Sequence, residues 1–209
     1  VLKEGIAEDN ANRERIARLL RFASTKSEGV QKTVSLDDYV SRMAAGQDVI
    51  WYVTADSHAA ARNSPQIEAL KARGVEVLLL SDRIDEWMIG YLGEYAGKKL
   101  RNAAKGDLDV EKPDAAEAER REEAEKSAAG VVGKLKELLG SRVGGVRVSH
   151  RLTDSPSCLV LGEHDMALHM QRLLRDAGHD VPTSPPVLEI NPQHPLVKRI
   201  EGETDTSRS

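Results

Sequence analysis

Two stretches stand out in the polar and apolar pattern of this chain. Residues 49–54 read VIWYVT, and residues 75–80 read VEVLLL between Gly74 and Ser81-Asp82. Short β-branched or apolar runs bounded by turn residues predict strands covered on both faces, as in a parallel sheet. Residues 57–73 between them have helical patterning, interrupted near Pro65 and closed by Gly74. Strand, helix and strand in succession predict a βαβ unit with a right-handed crossover. A helix is predicted over 84–95. Asp82 and Asp85 have the spacing of an N-cap and its N3 carboxylate, and Ile84, Trp87, Met88 and Tyr91 fall on one face. A short strand over 99–103 follows.

Upstream, Ile16, Leu19 and Leu20 mark a helix over 10–21, and residues 22–33 read as a Ser/Thr/Gly/Lys-rich loop. Ser35 and Asp38 form a second capping-box pattern, opening a helix that runs through Met43 and ends at Gly46. Downstream, residues 113–139 predict a long helix of two halves. The first is charged, with Glu117/Arg121 and Glu122/Lys126 at i, i+4, and carries no large apolar residue. The second has Val131, Val132, Leu135, Leu138 and Leu139 to pack on something. Strands follow at 146–151 and 158–161 around a turn at 153–156. A helix over 164–177 stops at Gly178, an extended Pro-rich piece spans 181–186, a strand covers 187–190, and a short helix covers 195–200. Residues 201–209 are polar and expected to fray. The predicted architecture is therefore α/β. An α/β/α sandwich domain with its helical lead-in occupies residues 1–110. A long charged helix joins it to a smaller α+β domain within 111–209.

Charge narrows the function classes. Charged residues make up 31% of the chain and the formal net charge is −4, which argues against a nucleic-acid groove or an anionic membrane surface. No apolar run approaches the ~18 residues that a membrane span needs, and residues 1–21 are too charged for a signal peptide. The lone Cys158 allows no internal disulfide and fits a reducing compartment, so a cytoplasmic location is expected.

Little of the catalytic repertoire is present. A βαβ unit invites a nucleotide at its strand ends, but the turn Thr54-Ala55-Asp56-Ser57 has no glycine and presents a carboxylate, and no phosphate-loop motif occurs. His164 and His169 are five apart and do not stack as helical metal ligands; His58, His150, His179 and His194 are scattered. Cys158 enters an apolar strand, as an inert buried thiol would. Asp85 and Glu86 are adjacent and point apart on a helix, a poor carboxylate pair. Two apolar stripes remain, each either core or sticky surface. One is the Trp87–Met88 face. The other is Met166, Met170, Leu173, Leu174 and Ala177 on the helix over 164–177. Tryptophan and methionine are both common in binding surfaces.

The chain also resembles a known family. GIAEDNANRERIARLLRF, VSLDDYVSRM, YVTADS, LLLSDRIDEW, GKKL, KGDLDV, SHRLTDSPSCLV, EHDM and LEINPQHPLVKRI, in that order, are similar to the bacterial heat shock protein 90 chaperones. The match covers nearly the whole chain. It places the chain at the end of that family's middle region and the first part of its C-terminal region. The resemblance implies a client-binding part of an ATP-dependent chaperone. The parent binds ATP and Mg in a domain upstream, and no cofactor is expected in this part. Partners of the parent would be unfolded or partly folded clients, co-chaperones, and a second copy of itself through terminal helices. Nothing apolar follows Ile200, so this chain alone is expected to be a monomer or weak dimer. Carried over residue by residue, Glu86, Trp87, Met166, Met170, Leu173 and Leu174 become the client-contact residues, with Leu174 standing where some relatives carry an aromatic. The rival readings from other classes are a small-molecule or nucleotide-binding α/β enzyme and a non-catalytic scaffold.

Overall fold

The computed structural model describes residues 2–108, 115–166, 168–176, 178 and 184–203, without the side chains of Leu168, His169, Arg172 and Leu173. The first half runs α1 (Leu2–Glu8), α2 (Arg13–Leu19), β1 (Ala23–Ser24), α3 (Leu36–Ser41), β2 (Val49–Thr54), α4 (His58–Arg62), α5 (Glu68–Ala72), β3 (Val77–Leu80), α6 (Asp85–Tyr91), β4 (Glu94–Tyr95) and β5 (Lys98–Asn102). These strands form one sheet in the order β1-β3-β2-β5-β4. The central strand β2 is parallel to both neighbours, with Tyr52 opposite Leu78 on one side and Asn102 on the other.

Both faces of the sheet are covered, as the apolar runs required. Ile50, Tyr52, Leu78 and Leu80 pack beneath α1, α2, α3 and α6 against Phe22, Tyr39, Met88 and Leu92. Trp51, Val53, Val77 and Leu79 pack on the other face against Ala61, Ile67 and Leu70. The capping box at Ser35 and Asp38 forms in full. Pro65 opens a 3-10 turn, Pro65–Ile67, between α4 and α5. A proline ring sits comfortably at the start of a helical turn but not inside one.

Three expectations are corrected here. β1 lies within the stretch expected to be loop, where Ala23 and Ser24 pair antiparallel with β3. The expected helix over 84–95 ends four residues early. Ala96 and Gly97 both adopt positive φ, 50° and 73°, the backbone of a tight hairpin turn, and this turn pairs β4 with β5. The cap of α6 is only half made. The Asp85 carboxylate accepts the Asp82 N–H at 2.9 Å, but the Asp82 side chain turns away to Lys3 and Lys32.

The second half runs α7 (Ala115–Leu139), β6 (Gly145–Val148), β7 (Ser157–Val160), α8 (Leu168–Asp176), β8 (Val187–Ile190) and α9 (Pro195–Gly202). α8 is shorter than the helix expected over 164–177. The two strands expected around the 153–156 turn do not pair with each other. β8 lies between them, parallel to β6 and antiparallel to β7. Ala128, Val131, Val146, Val148, Ile190 and Val197 form the core, with Val132, Leu135 and Leu139 packed against it. The apolar half of α7 thus covers the small sheet. The expected domain boundary at 110/111 falls within 109–114, and much of the expected extended piece falls within 179–183, both outside the described residues.

The two sheets meet along a polar seam. Leu161 continues β7 towards the first half and exchanges bonds with it: its N–H donates to Ala104 O at 3.1 Å, and Gly106 N–H donates to Leu161 O at 2.9 Å. Arg151 is buried in the seam. It donates to Ala103 O and Gly106 O, each at 2.6 Å, and to Glu189 of β8. Glu68 of α5 reaches the other way, accepting the N–H groups of Thr153, Asp154 and Ser155. Burial alone would raise the Glu68 carboxyl, but the Ser155 hydroxyl and these three N–H groups outweigh it and hold the pKa below its usual value.

Candidate functional site

The C-terminal ends of β2 and β5 open onto a cavity of about 140 Å³. Tyr52 and Thr54 come from β2, and Asn102 and Lys105 from β5 and the turn after it. Glu86 and Ile89 face it from α6, and Met166 and Met170 close it from the second half of the chain. The seam explains why Met166 arrives here. Leu161 is fixed to residues 104–106, and Asp165 then folds the chain back by accepting Gly162 N–H at 2.8 Å. Gln171 completes the corner, donating to Met166 O at 2.6 Å.

α6 is held rigidly. Asp85 is buried and ion-paired with Lys3, so Asp85, Met88 and Leu92 define the inward side. That splits the stripe predicted to lie on one face. Met88 is 0% exposed, whereas Trp87 and Tyr91 are 36% and 46% exposed. The two outward rings stand edge to face with centroids 5.2 Å apart and form an apolar ledge on α6. Met166, 40% exposed, presents a second apolar group in the mouth.

The polar lining is unusual. Neither Glu86 carboxylate oxygen is solvent-accessible, and neither accepts a hydrogen bond from a described residue. Burial pushes the Tyr52 hydroxyl up to about 12, and the Glu86 charge adds to this. Burial pulls the Lys105 ammonium below its usual pKa, while the charges of Glu86 and Asp165 oppose the fall. A buried carboxylate lacking a donor costs free energy.

Of the six residues singled out from the sequence, Glu86, Met166 and Met170 meet in the cavity. Trp87 sits beside it, facing out, and does not line it. Leu174 is half-buried on α8 and is not among the lining residues; the Leu173 side chain lies outside the described ones. Sequence reasoning missed Tyr52, Thr54, Asn102 and Lys105. The available signal was topological, since cavities in parallel sheets open at the carboxyl ends of strands. Applying it to β5 needed the knowledge that β5 lies parallel to β2.

Cys158 is free and buried, with burial first among the causes that push its thiol up to about 12. Among the described residues, no group of three or more His, Cys, Asp or Glu side chains could hold a metal, and no helix is long and apolar enough to cross a membrane.

Two α/β layers locked along a polar seam, with an apolar-rimmed cavity beside it, define a mixed α/β protein of two sheets. A family model described as Hsp90 protein matches residues 1–209, and the chain belongs to that family. It is 53% identical over its full length to the chaperone protein HtpG of Chromobacterium violaceum and 56% identical to that of Alkalilimnicola ehrlichii. It is 54% identical to the HtpG of Halorhodospira halophila over 98% of its length. The chain spans about a third of the length of these curated relatives, 33%, 32% and 32% respectively.

Proposed function

We propose that the cavity at the ends of β2 and β5, with the ledge beside it, binds unfolded or partly folded proteins as the client surface of an ATP-driven chaperone. ATP and Mg would be handled by other parts of the parent, a homodimer assisted by co-chaperones in the cytoplasm. One observation carries the reading: Glu86, Met166 and Met170, from separate halves of the chain, converge on one cavity beside the exposed Trp87. Exposed aromatic and methionine side chains around a polar anchor suit varied, poorly structured partners. The family and the name of the relatives, chaperone protein, support the same reading.

The test is a set of single variants, Trp87→Ala, Met166→Ala and Met170→Ala, titrated with a permanently unfolded protein and melted in urea. Loss of an interface anchor costs roughly 1–2 kcal/mol or more of binding. Loss of an exposed side chain changes stability by only ~0.5 kcal/mol. Weakened binding by a still-stable protein is expected. A stability loss of about 2–5 kcal/mol, the range for core truncation, with unchanged affinity of the folded fraction would remove the assignment.

A further inference from the structure

α6 lies against its own apolar pattern. Ile84, Trp87, Met88 and Tyr91 make one stripe, yet the side turned to the core is that of Asp85, Met88 and Leu92. At 3.6 residues per turn the two directions differ by about 80°. The helix thus leaves the indole and phenol rings out and buries a carboxylate instead, the reverse of what an amphipathic helix does unaided.

Lys3 accounts for this. Ile6 anchors α1 in the core at 0% exposure. Lys3, one turn before it, lies over the Phe22 ring with its ammonium 5.4 Å from the centroid. From there it pairs with both carboxylates at the start of α6, Asp82 at 2.7 Å and Asp85. Lys32 takes the other oxygen of Asp82, and Asp85 accepts the Asp82 N–H. Burial alone would raise the Asp82 carboxyl, but the hydrogen bonds from Lys3 and Lys32 hold its pKa below the usual value. The Lys3 and Asp85 side chains are 14% and 2% exposed. Turning the apolar stripe inward would therefore separate a buried ion pair, which is strongly destabilising.

We propose that Lys3 is a positioning residue for the client surface. Its pairing with Asp85 fixes the rotation of α6 so that Trp87 and Tyr91 face out, and without it the helix turns those rings towards the core and the ledge is lost. Lys3 is not among the residues that line the cavity; it acts through Asp85. The consequence for binding rests on the client reading above, whereas the rotation itself can be measured without a client.

The chain has two tryptophans, and Trp51 is buried at 1% exposure, so acrylamide quenching of the emission reports on Trp87. Two double variants remove both charges together, so that neither is stranded. Lys3→Met/Asp85→Ala leaves nothing to hold the rotation. Lys3→Met/Asp85→Leu puts an apolar group on the side now turned inward and should hold the rotation by packing. In the alanine variant, quenching should fall by about half or more as the indole turns in. Its affinity for carboxymethylated α-lactalbumin, a permanently unfolded protein, should fall about tenfold, as on loss of an interface anchor. In the leucine variant both should stay within about twofold of the unaltered chain. Unaltered quenching in a folded alanine variant would show that packing sets the rotation, and would overturn the proposal. So would a loss of quenching in the leucine variant as large as in the alanine one. If the alanine variant does not melt cooperatively, Lys3→Met/Asp85→Asn, whose amide oxygen can still accept the Asp82 N–H, is held to the same outcome. Reduced quenching with unchanged affinity would overturn the positioning role. An unaltered chain that does not bind the unfolded protein would remove the client reading, while quenching still decides whether Lys3 sets the rotation.

Discussion

The two sheets answer to water differently. In the larger one, β3 is buried along its whole length, and β2 at all but its end residues. In the smaller one, β6 and β7 bury alternate residues only; Val146 and Val148 face α7, while Leu159 is 38% exposed. The first is stabilised by apolar layers on both faces, the second by one apolar layer and a dense polar seam along its side. The fold therefore concentrates apolar free energy in the first half and specific polar geometry where the halves meet. The candidate cavity lies at that meeting point, with one wall from each side.

The sharpest break of this comparison is a matched pair of truncations. Leu78→Ala, at 0% exposure in β3, should destabilise by about 4 kcal/mol, since a central strand between two helical layers has little room to collapse around a cavity. Leu159→Ala in β7 should change stability by no more than ~0.5 kcal/mol. Urea denaturation of both variants measures the contrast, and equal losses would erase the distinction between the sheets. Next in size is the seam. Arg151→Ala should cost about 3 kcal/mol, at the low end for a broken buried ion pair, because Arg147 and Ser149 still reach Glu189. The same variant frees Ala103 O and Gly106 O, so amide exchange of residues 104–106 should accelerate together with Leu161. Acceleration confined to the second half would show that the seam does not couple them.

What could be read in advance tracks this same division. The runs at 49–54 and 75–80 declared themselves because a strand buried on both faces has no polar alternation to confuse with anything else. The capping box at Ser35 and the break at Pro65 were equally plain, since each is a local interaction between near neighbours. β1 and β4 were invisible because two-residue strands depend on what they pair with. The early end of α6 was hidden by Tyr95, whose ring continues the helical apolar pattern although Ala96-Gly97 turns the chain. In the candidate site, Met166 and Met170 stood out as part of an apolar stripe, and the family resemblance made them and Glu86 contact residues. Periodicity misjudged Trp87 and Met88 as one face, because the buried pair of Asp85 with Lys3, 82 residues apart, sets the rotation of α6. Lys105 and Tyr52 had no local signal at all; only the parallel alignment of β5 on β2 brings them to Glu86.

A smaller effect tests the seam from the other side. Glu68 has its pKa lowered in the folded chain, so it adds stability at neutral pH that disappears as pH falls through its folded value. Glu68→Gln should therefore cost about 1 kcal/mol near pH 7, a modest figure because Glu68 is partly exposed and its bonds are screened. The gap between the two proteins should close as pH drops below the ordinary carboxyl value of 4.5. Paired urea melts from pH 7 to pH 3 follow it. A gap that widens in acid would mean the sign is wrong and the carboxylate is not what holds residues 153–155.

The smallest effect concerns α7, which contains both regimes within one helix. Its second half buries Ala128 and Val131 against the small sheet. Its first half is supported by the part-buried pair of Glu117 with Arg121 and the exposed pair of Glu122 with Lys126, and by polar contacts of Glu117 with Arg73 and Glu125 with His150. Glu122→Gln removes one of these, in which the side chains are 74% and 65% exposed for Lys126 and Glu122. An exposed pair at this spacing contributes about 0.3 kcal/mol, too little to move a global melt. It should still appear locally, because a helix half with few apolar contacts exchanges its amide hydrogens through local opening. Exchange over residues 115–126 should rise by less than about twofold, and residues 128–139, held by the sheet, should be unchanged. In the unaltered chain the first half should already exchange faster than Val77–Leu80. Equal protection of those two segments would mean that the contacts of Glu117, Ala124 and Glu125 with the rest of the chain, not the helix's own charge pairs, stabilise the polar half of α7.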